Sequence, residues 1–222
     1  MNAQRTSTET AITAITALLA WAALILQFVL LLHATWDTKG PALAMIQFFS
    51  YFTILSNLLV ALVCTSALAR HPGRVQRFLT GARVRAAVAL YIGVTGGIYL
   101  VILSSLWAPT GWQWLADVSL HYAVPLLYLA LWFGFAPRQT LAWSDLPSWL
   151  VFPLAYLLWA FARGAWLEEY PYPFIDVAAL GMTRVLLNAI AVLAFFMLLG
   201  SILVAFNRRS ARLVEPAATE RR

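Results

Sequence analysis

Apolar residues along this chain gather into six blocks: Ala11–His33, Ile46–Ala69, Ala86–Trp107, Trp114–Phe135, Ser148–Trp166 and Leu180–Phe206. Each approaches the roughly 20 residues that a helix needs to cross a hydrocarbon core. The pattern predicts an all-α polytopic membrane protein, a bundle of six transmembrane helices forming one domain over residues 1–207. A basic tail, 208–222, follows and is expected to be disordered. Turn chemistry falls between the blocks, at Gly40-Pro41, His71-Pro72-Gly73, Ala108-Pro109, Ala136-Pro137 and Tyr170-Pro171-Tyr172-Pro173. Pro125 lies inside the fourth block and predicts a kink, whereas Pro153 sits near the start of the fifth, where it is better tolerated. The first block is too long for a signal-peptide core and no small-residue cleavage site follows it, so it is expected to be retained. The blocks show no convincing internal repeat.

Composition agrees with this pattern. The chain is 62% hydrophobic and 11% charged, too little charge to cover a soluble domain of 222 residues, so the excess apolar surface is expected to face lipid. The net charge of +6 would suit a nucleic-acid binder, but the arginines flank apolar blocks and form no basic face. They mark topology instead. Twelve of them fall on one side: Arg5, the group Arg70 to Arg85, Arg138, and the group Arg208 to Arg222. The opposite connectors carry only Lys39 as a basic residue, beside Trp36, Asp37, Trp112, Glu168, Glu169 and Asp176. This asymmetry predicts cytoplasmic N- and C-termini in a multi-pass protein of the plasma (inner) membrane. Trp107, Trp114 and Trp166 stand where interfacial anchors belong.

The single cysteine, Cys64, has no intrachain partner for a disulfide. A metal site is poorly supported, since one histidine lies within the bundle and intramembrane carboxylates are lacking. The chain has no Gly-rich phosphate loop, Gly-x-Ser-x-Gly elbow or His-Glu-x-x-His helix, and no cofactor is expected.

Ionisable and polar groups at membrane depth each invite a functional hypothesis. They are Thr53, Ser56 and Asn57 in the second block, His121 in the fourth, Arg163 in the fifth, and Arg184 with Asn188 in the sixth. Counted from the outer ends of their blocks, Thr53 and His121 both lie ~10 Å down a straight helix, and Asn188 lies close to the same level. One polar layer in the outer half of the bundle follows. Ser50, Thr53 and Asn57 share a helical face. Asp117 and His121 stand at i and i+4, so the carboxylate is a candidate to orient the imidazole. Structural alternatives stand beside each: Thr53 and Asn57 as interhelical glue, His121 as partner of a carbonyl freed by Pro125, and Arg163 or Arg184 paired with Glu168, Glu169 or Asp176.

Three stretches carry a family resemblance: Phe48-Phe49-Ser50-Tyr51-Phe52-Thr53-Ile54-Leu55-Ser56-Asn57, Leu120-His121-Tyr122-Ala123-Val124-Pro125, and Tyr156-Leu157-Leu158-Trp159 through Trp166 to Tyr170-Pro171-Tyr172-Pro173-Phe174-Ile175-Asp176. In order and spacing they resemble the androgen-induced-protein family of membrane hydrolases, which includes the androgen-dependent TFPI-regulating protein, and its six-span bacterial relatives. The resemblance covers roughly residues 45–190. It implies hydrolysis of fatty-acid esters of hydroxy fatty acids by an intramembrane threonine, matched here by Thr53, and a histidine, matched by His121. The animal members carry an acidic residue shortly after the threonine, where this chain has Ser56-Asn57, which puts the substrate in doubt.

The expected chemistry is then cleavage of a membrane lipid ester. Threonine needs a base, for which His121 is the candidate. Asp117 is the orienting candidate, and Asn57, Asn188, Arg184 and Ser56 are candidates for oxyanion stabilisation or substrate binding. Rival readings are a small transporter, with Arg163 and Arg184 holding an anion and His121 relaying protons, and a non-catalytic lipid-binding protein.

Overall fold

Thr6 opens the first helix, its hydroxyl accepting from the Glu9 N–H at 3.1 Å. The computed structural model describes residues 6–138 and 140–212, and Arg5, Arg221 and Arg222 lie outside the described residues. Helix α1 runs Ser7–Thr35. It is followed by α2 (Gly40–Phe48), α3 (Phe52–Ala67), the short α4 (Arg74–Leu79) and α5 (Ala82–Ile98). Then come α6 (Gly111–Val118), α7 (Val124–Phe135), α8 (Leu146–Leu167), the single turn α9 (Val177–Leu180) and α10 (Met182–Arg212). No strand occurs among the described residues. Five helical segments are long and apolar enough to cross a membrane, and α2 with α3 makes a sixth if that bent pair is one span. Many large apolar side chains face outward from them, among them Leu18, Val101, Leu126 and Leu158, as expected of helices solvated by lipid.

The second block differs from expectation. Ile46–Ala69 was expected as one helix, but α2 and α3 meet at a 74° bend. The sequence between them, Phe49-Ser50-Tyr51, holds neither proline nor glycine. Partners from α8 satisfy the exposed backbone instead. The Tyr156 hydroxyl donates to the Ser50 carbonyl at 2.9 Å, and Trp159 Nε1 donates to Ser50 Oγ at 3.3 Å. Ser50 Oγ itself donates to the Ile46 carbonyl at 2.6 Å. The break therefore carries few orphaned polar groups and is stable inside an apolar bundle. Its consequence is positional: Thr53 stands in the first turn of α3, and not two turns down a straight helix.

Two further departures from α geometry flank the same region. The apolar segment Ala82–Leu103 ends in a π-helical turn, Tyr99–Leu103, and the segment Gly111–Phe135 contains another, Ser119–Ala123. In each the closing amide reaches five residues back, Ser104 to Tyr99 and Val124 to Ser119. The second accounts for Pro125. Proline offers no N–H to the carbonyl of His121, four residues earlier, and the register slips one residue just before it. Gly96 of α5 packs here, where an added Cβ would lie 3.2 Å from the His121 carbonyl oxygen and 3.3 Å from Pro125 Cβ.

Side chains also identify which connectors share an end. Lys39, after α1, pairs with Glu169, after α8. At the other end Arg83 pairs with Asp145 at 3.0 Å. Asn207 of α10 donates there to the Pro137 carbonyl at 2.7 Å and accepts from the Thr140 and Leu141 amides. Helix α10 continues past 207, the expected domain limit, to Arg212, and residues 213–222 of the expected disordered tail lie outside the described residues.

Candidate active site

Thr53 and His121 meet. Thr53 Oγ1 lies 3.3 Å from His121 Nε2. The opposite ring nitrogen, Nδ1, is 3.1 Å from the main-chain oxygen of Asp117 and 3.1 Å from its carboxylate Oδ1. The hydrogen-bond geometry favours the carbonyl, so the Oδ1 contact is an electrostatic one. Both neighbours of Nδ1 are acceptors, which places the ring proton on Nδ1 and leaves the Nε2 lone pair facing the Thr53 hydroxyl. The π-helical turn sets this arrangement, because His121 sits at its centre and Asp117 just before it.

Asp117 is 4% exposed. Its Oδ2 accepts from the Tyr99 hydroxyl, and the Tyr99 ring stacks on the imidazole with centroids 3.8 Å apart and planes 14° from parallel. Tyr99 belongs to the π-helical turn Tyr99–Leu103, so the two irregular turns face each other across the site. A buried carboxylate is tolerable only with donors around it, and Tyr99 supplies one while the imidazole supplies opposite partial charge.

On the other side of Thr53 stands Tyr172. Its hydroxyl accepts from the Thr53 N–H at 3.2 Å and lies 3.3 Å from Thr53 Oγ1. Tyr172 stacks on Phe174 and meets Tyr51 edge-on. The connector that carries it is fixed at three points. Arg163, 3% exposed, donates from Nη1 to the Glu169 carbonyl at 2.6 Å and from Nη2 to Glu169 Oε2 at 3.3 Å. Lys39 Nζ reaches the same carboxylate at 2.6 Å and Gln47 Oε1 at 3.1 Å. The hydrogen bond from Lys39, with the positive charges of Lys39 and Arg163, holds the Glu169 carboxyl below its usual range. Gly164 completes the fit, because an added Cβ would stand 2.1 Å from Tyr170 Cε1.

Three of the four expected oxyanion candidates are engaged elsewhere. Asn57, fully buried, donates from Nδ2 to the carbonyls of Thr53 at 2.8 Å and Leu120 at 3.1 Å, so it bolts α3 to the π-helical turn. Ser56 Oγ bonds the Thr53 carbonyl at 3.1 Å and Thr95 Oγ1 at 2.8 Å. Asn188 donates to the Phe174 carbonyl at 2.8 Å, and Arg184 is exposed at the start of α10. Asn57 is thus interhelical glue, one of the two readings its sequence position allowed. The groups beside Thr53 Oγ1 are His121 and Tyr172, backed by the first-turn amides of α3, whose dipole favours negative charge there.

Among the described residues no cluster of three or more His, Cys, Asp or Glu side chains is arranged to hold a metal ion. Tyr172 and Tyr99 were not anticipated as site residues. The run Tyr170-Pro171-Tyr172-Pro173 read as a break between spans, and Tyr99, inside the block Ala86–Trp107, carried no candidate role. No protein-family model, curated protein or solved structure matches this chain.

Proposed function

We propose that this protein is an intramembrane hydrolase of lipid esters, with Thr53 as nucleophile and His121 as general base. The carrying observation is the 3.3 Å contact between Thr53 Oγ1 and His121 Nε2, with Nδ1 held 3.1 Å from Asp117. A hydroxyl, an imidazole and an orienting carboxylate in this order are the parts that activated-nucleophile chemistry requires. The resemblance to the androgen-induced-protein family supports the same pair. No cofactor or metal takes part in this reading. The chain spans the plasma (inner) membrane six times, α2 and α3 together forming the second span, with both termini cytoplasmic by the arginine asymmetry.

In the reaction, Thr53 gives its proton to His121 Nε2 as Oγ1 bonds to the ester carbonyl carbon. Asp117 stabilises the imidazolium that forms. Tyr172 stands close enough to Thr53 to donate to the oxyanion, the role first sought in Asn57, Asn188, Arg184 and Ser56. The transporter alternative loses one of its two arginines, since the Arg163 guanidinium is committed to Glu169.

A lipid-ester screen of purified protein in detergent tests this. Thr53→Ala and His121→Ala are each expected to abolish cleavage while both proteins still fold, and labelling by a fluorophosphonate probe is expected to vanish in Thr53→Ala. Full turnover by either variant removes that residue from the chemistry.

A further inference from the structure

Two cavities meet at Thr53; both are walled mainly by hydrocarbon, and they differ in the polar groups that one of them adds. One, of about 100 Å³, lies between α3, α5, α8 and α10. Its wall is largely hydrocarbon, with Val94, Leu154, Leu157, Ala189 and Val192 among its residues. The other, of about 330 Å³, is the polar one of the pair only because His121, Asp117, Tyr99, Gln27 and Gln113 are set into a wall that is otherwise apolar. Thr53, Leu103 and Tyr172 line both, so the Tyr172 side chain forms part of the partition and the nucleophile sits at its edge. The polar cavity has ample room for water, which needs roughly 10–15 Å³ per molecule.

Proton bookkeeping decides which half of an ester enters which cavity. The proton that His121 Nε2 takes from Thr53 must reach the ester oxygen as the carbonyl carbon–oxygen bond breaks, because an alkoxide is a poor leaving group. His121 lines the polar cavity and not the apolar one. The departing oxygen therefore has to lie on the polar side. We infer that the acyl chain occupies the apolar cavity between α3, α5, α8 and α10, and that the alcohol half occupies the polar cavity beside His121, Gln113 and Gln27. This assignment rests on the hydrolase reading and adds to it which cavity receives each half of the ester. Gln113 and Gln27, joined to each other at 2.8 Å, are the amide groups on the alcohol side.

The second half-reaction follows the same geography. The free alcohol leaves through the polar cavity and water replaces it. Water gives a proton to Nε2 as its oxygen bonds to the acyl carbon. The acyl–Oγ1 bond then breaks, Nε2 returns the proton to Thr53 Oγ1, and the carboxylic acid is released from the apolar side. Ester and water are consumed, and acid and alcohol are formed.

The test uses the full chain in detergent with two ester series. One varies the acyl chain from acetyl to decanoyl on a fixed 4-methylumbelliferyl alcohol. The other varies the alcohol from methanol to glycerol on a fixed decanoyl group. Ala189→Phe, with Val192→Phe as an independent second variant, is expected to lower kcat/KM for decanoyl relative to acetyl esters by about tenfold or more, leaving the ranking of alcohols in place. Leu106→Trp, which narrows the polar cavity, is expected to change the alcohol ranking and not the acyl ranking. Thr53 labelling by a methyl fluorophosphonate shows that each variant retains its site. Exchanged effects, or rankings untouched by either class of variant, overturn the assignment while the hydrolase reading stands. A wild-type protein that cleaves no ester and is not labelled at Thr53 removes both.

Discussion

Substituting Gly164 by alanine probes how tightly the Tyr172 connector must sit against α8. The new Cβ would stand 2.1, 2.5 and 2.6 Å from three atoms of the Tyr170 ring. Carbon–carbon contact is comfortable at roughly 3.5–4.0 Å, so the ring has to retreat by more than an ångström. The clash is with a side chain and not with backbone, so rotation of Tyr170 relieves part of it, and the cost falls in the ordinary overpacking range of about 1–3 kcal/mol. Tyr170 is bracketed by Glu169, clasped by Arg163 and Lys39, and by Pro171-Tyr172, so its displacement is transmitted to the contacts of Tyr172 with Thr53. Gly164→Ala is expected to lower thermal stability in detergent and to slow fluorophosphonate labelling of Thr53. Adding Tyr170→Ala to it removes the obstructing ring and is expected to restore most of the labelling rate, a coupling that a double-mutant cycle measures. Equal labelling in wild type and Gly164→Ala, with unchanged unfolding temperature, refutes this account of the connector.

Asp117→Asn keeps the shape and the main-chain acceptor for Nδ1–H but removes the charge that steadies an imidazolium; kcat is expected to fall about 10²-fold with a smaller change in KM, read from ester hydrolysis. Acidification acts on the Glu169 clasp. Because Lys39 and Arg163 depress that carboxyl, its stabilising effect is full above the ordinary value of about 4.5 and is lost as pH falls through the lowered folded value. Limited proteolysis of the connector after α8 is expected to accelerate only below that range, and Glu169→Gln is expected to show the fast rate at neutral pH; equal rates in the two proteins at neutral pH contradict the clasp.

The long apolar blocks made the helical membrane architecture legible, since uninterrupted hydrocarbon leaves the backbone no alternative to helix. Thr53 and His121 were legible for the complementary reason, as polar groups whose burial is costly without a partner. Equal depth down straight helices is nevertheless not how the two meet. The second block does not run straight from Ile46, and its break at Phe49–Tyr51 depends on Tyr156 and Trp159, which lie about a hundred residues further along the chain. Local sequence carries no trace of such partners. The π-helical turns were equally hidden, although Pro125, four residues beyond His121, marks where a helix loses a donor. Asn57, Asn188 and Ser56 were located as buried or half-buried polar groups, but which acceptor each side chain finds is decided by neighbouring helices. Tyr172 escaped notice because a Tyr-Pro-Tyr-Pro run reads first as a turn.

The order of synthesis gives the Tyr172 hydrogen bond a further meaning. Tyr172 lies 119 residues beyond Thr53, whereas His121 lies only 68 beyond it. A growing polypeptide thus possesses Thr53 and His121 well before the phenol that stands beside them, and the Lys39 ammonium waits 130 positions for its carboxylate. On the hydrolase proposal, reactivity is consequently coupled to completion of α8 and the connector after it, and an arrested translation product ending before α8 would carry Thr53 and His121 in an unfinished and unguarded cleft.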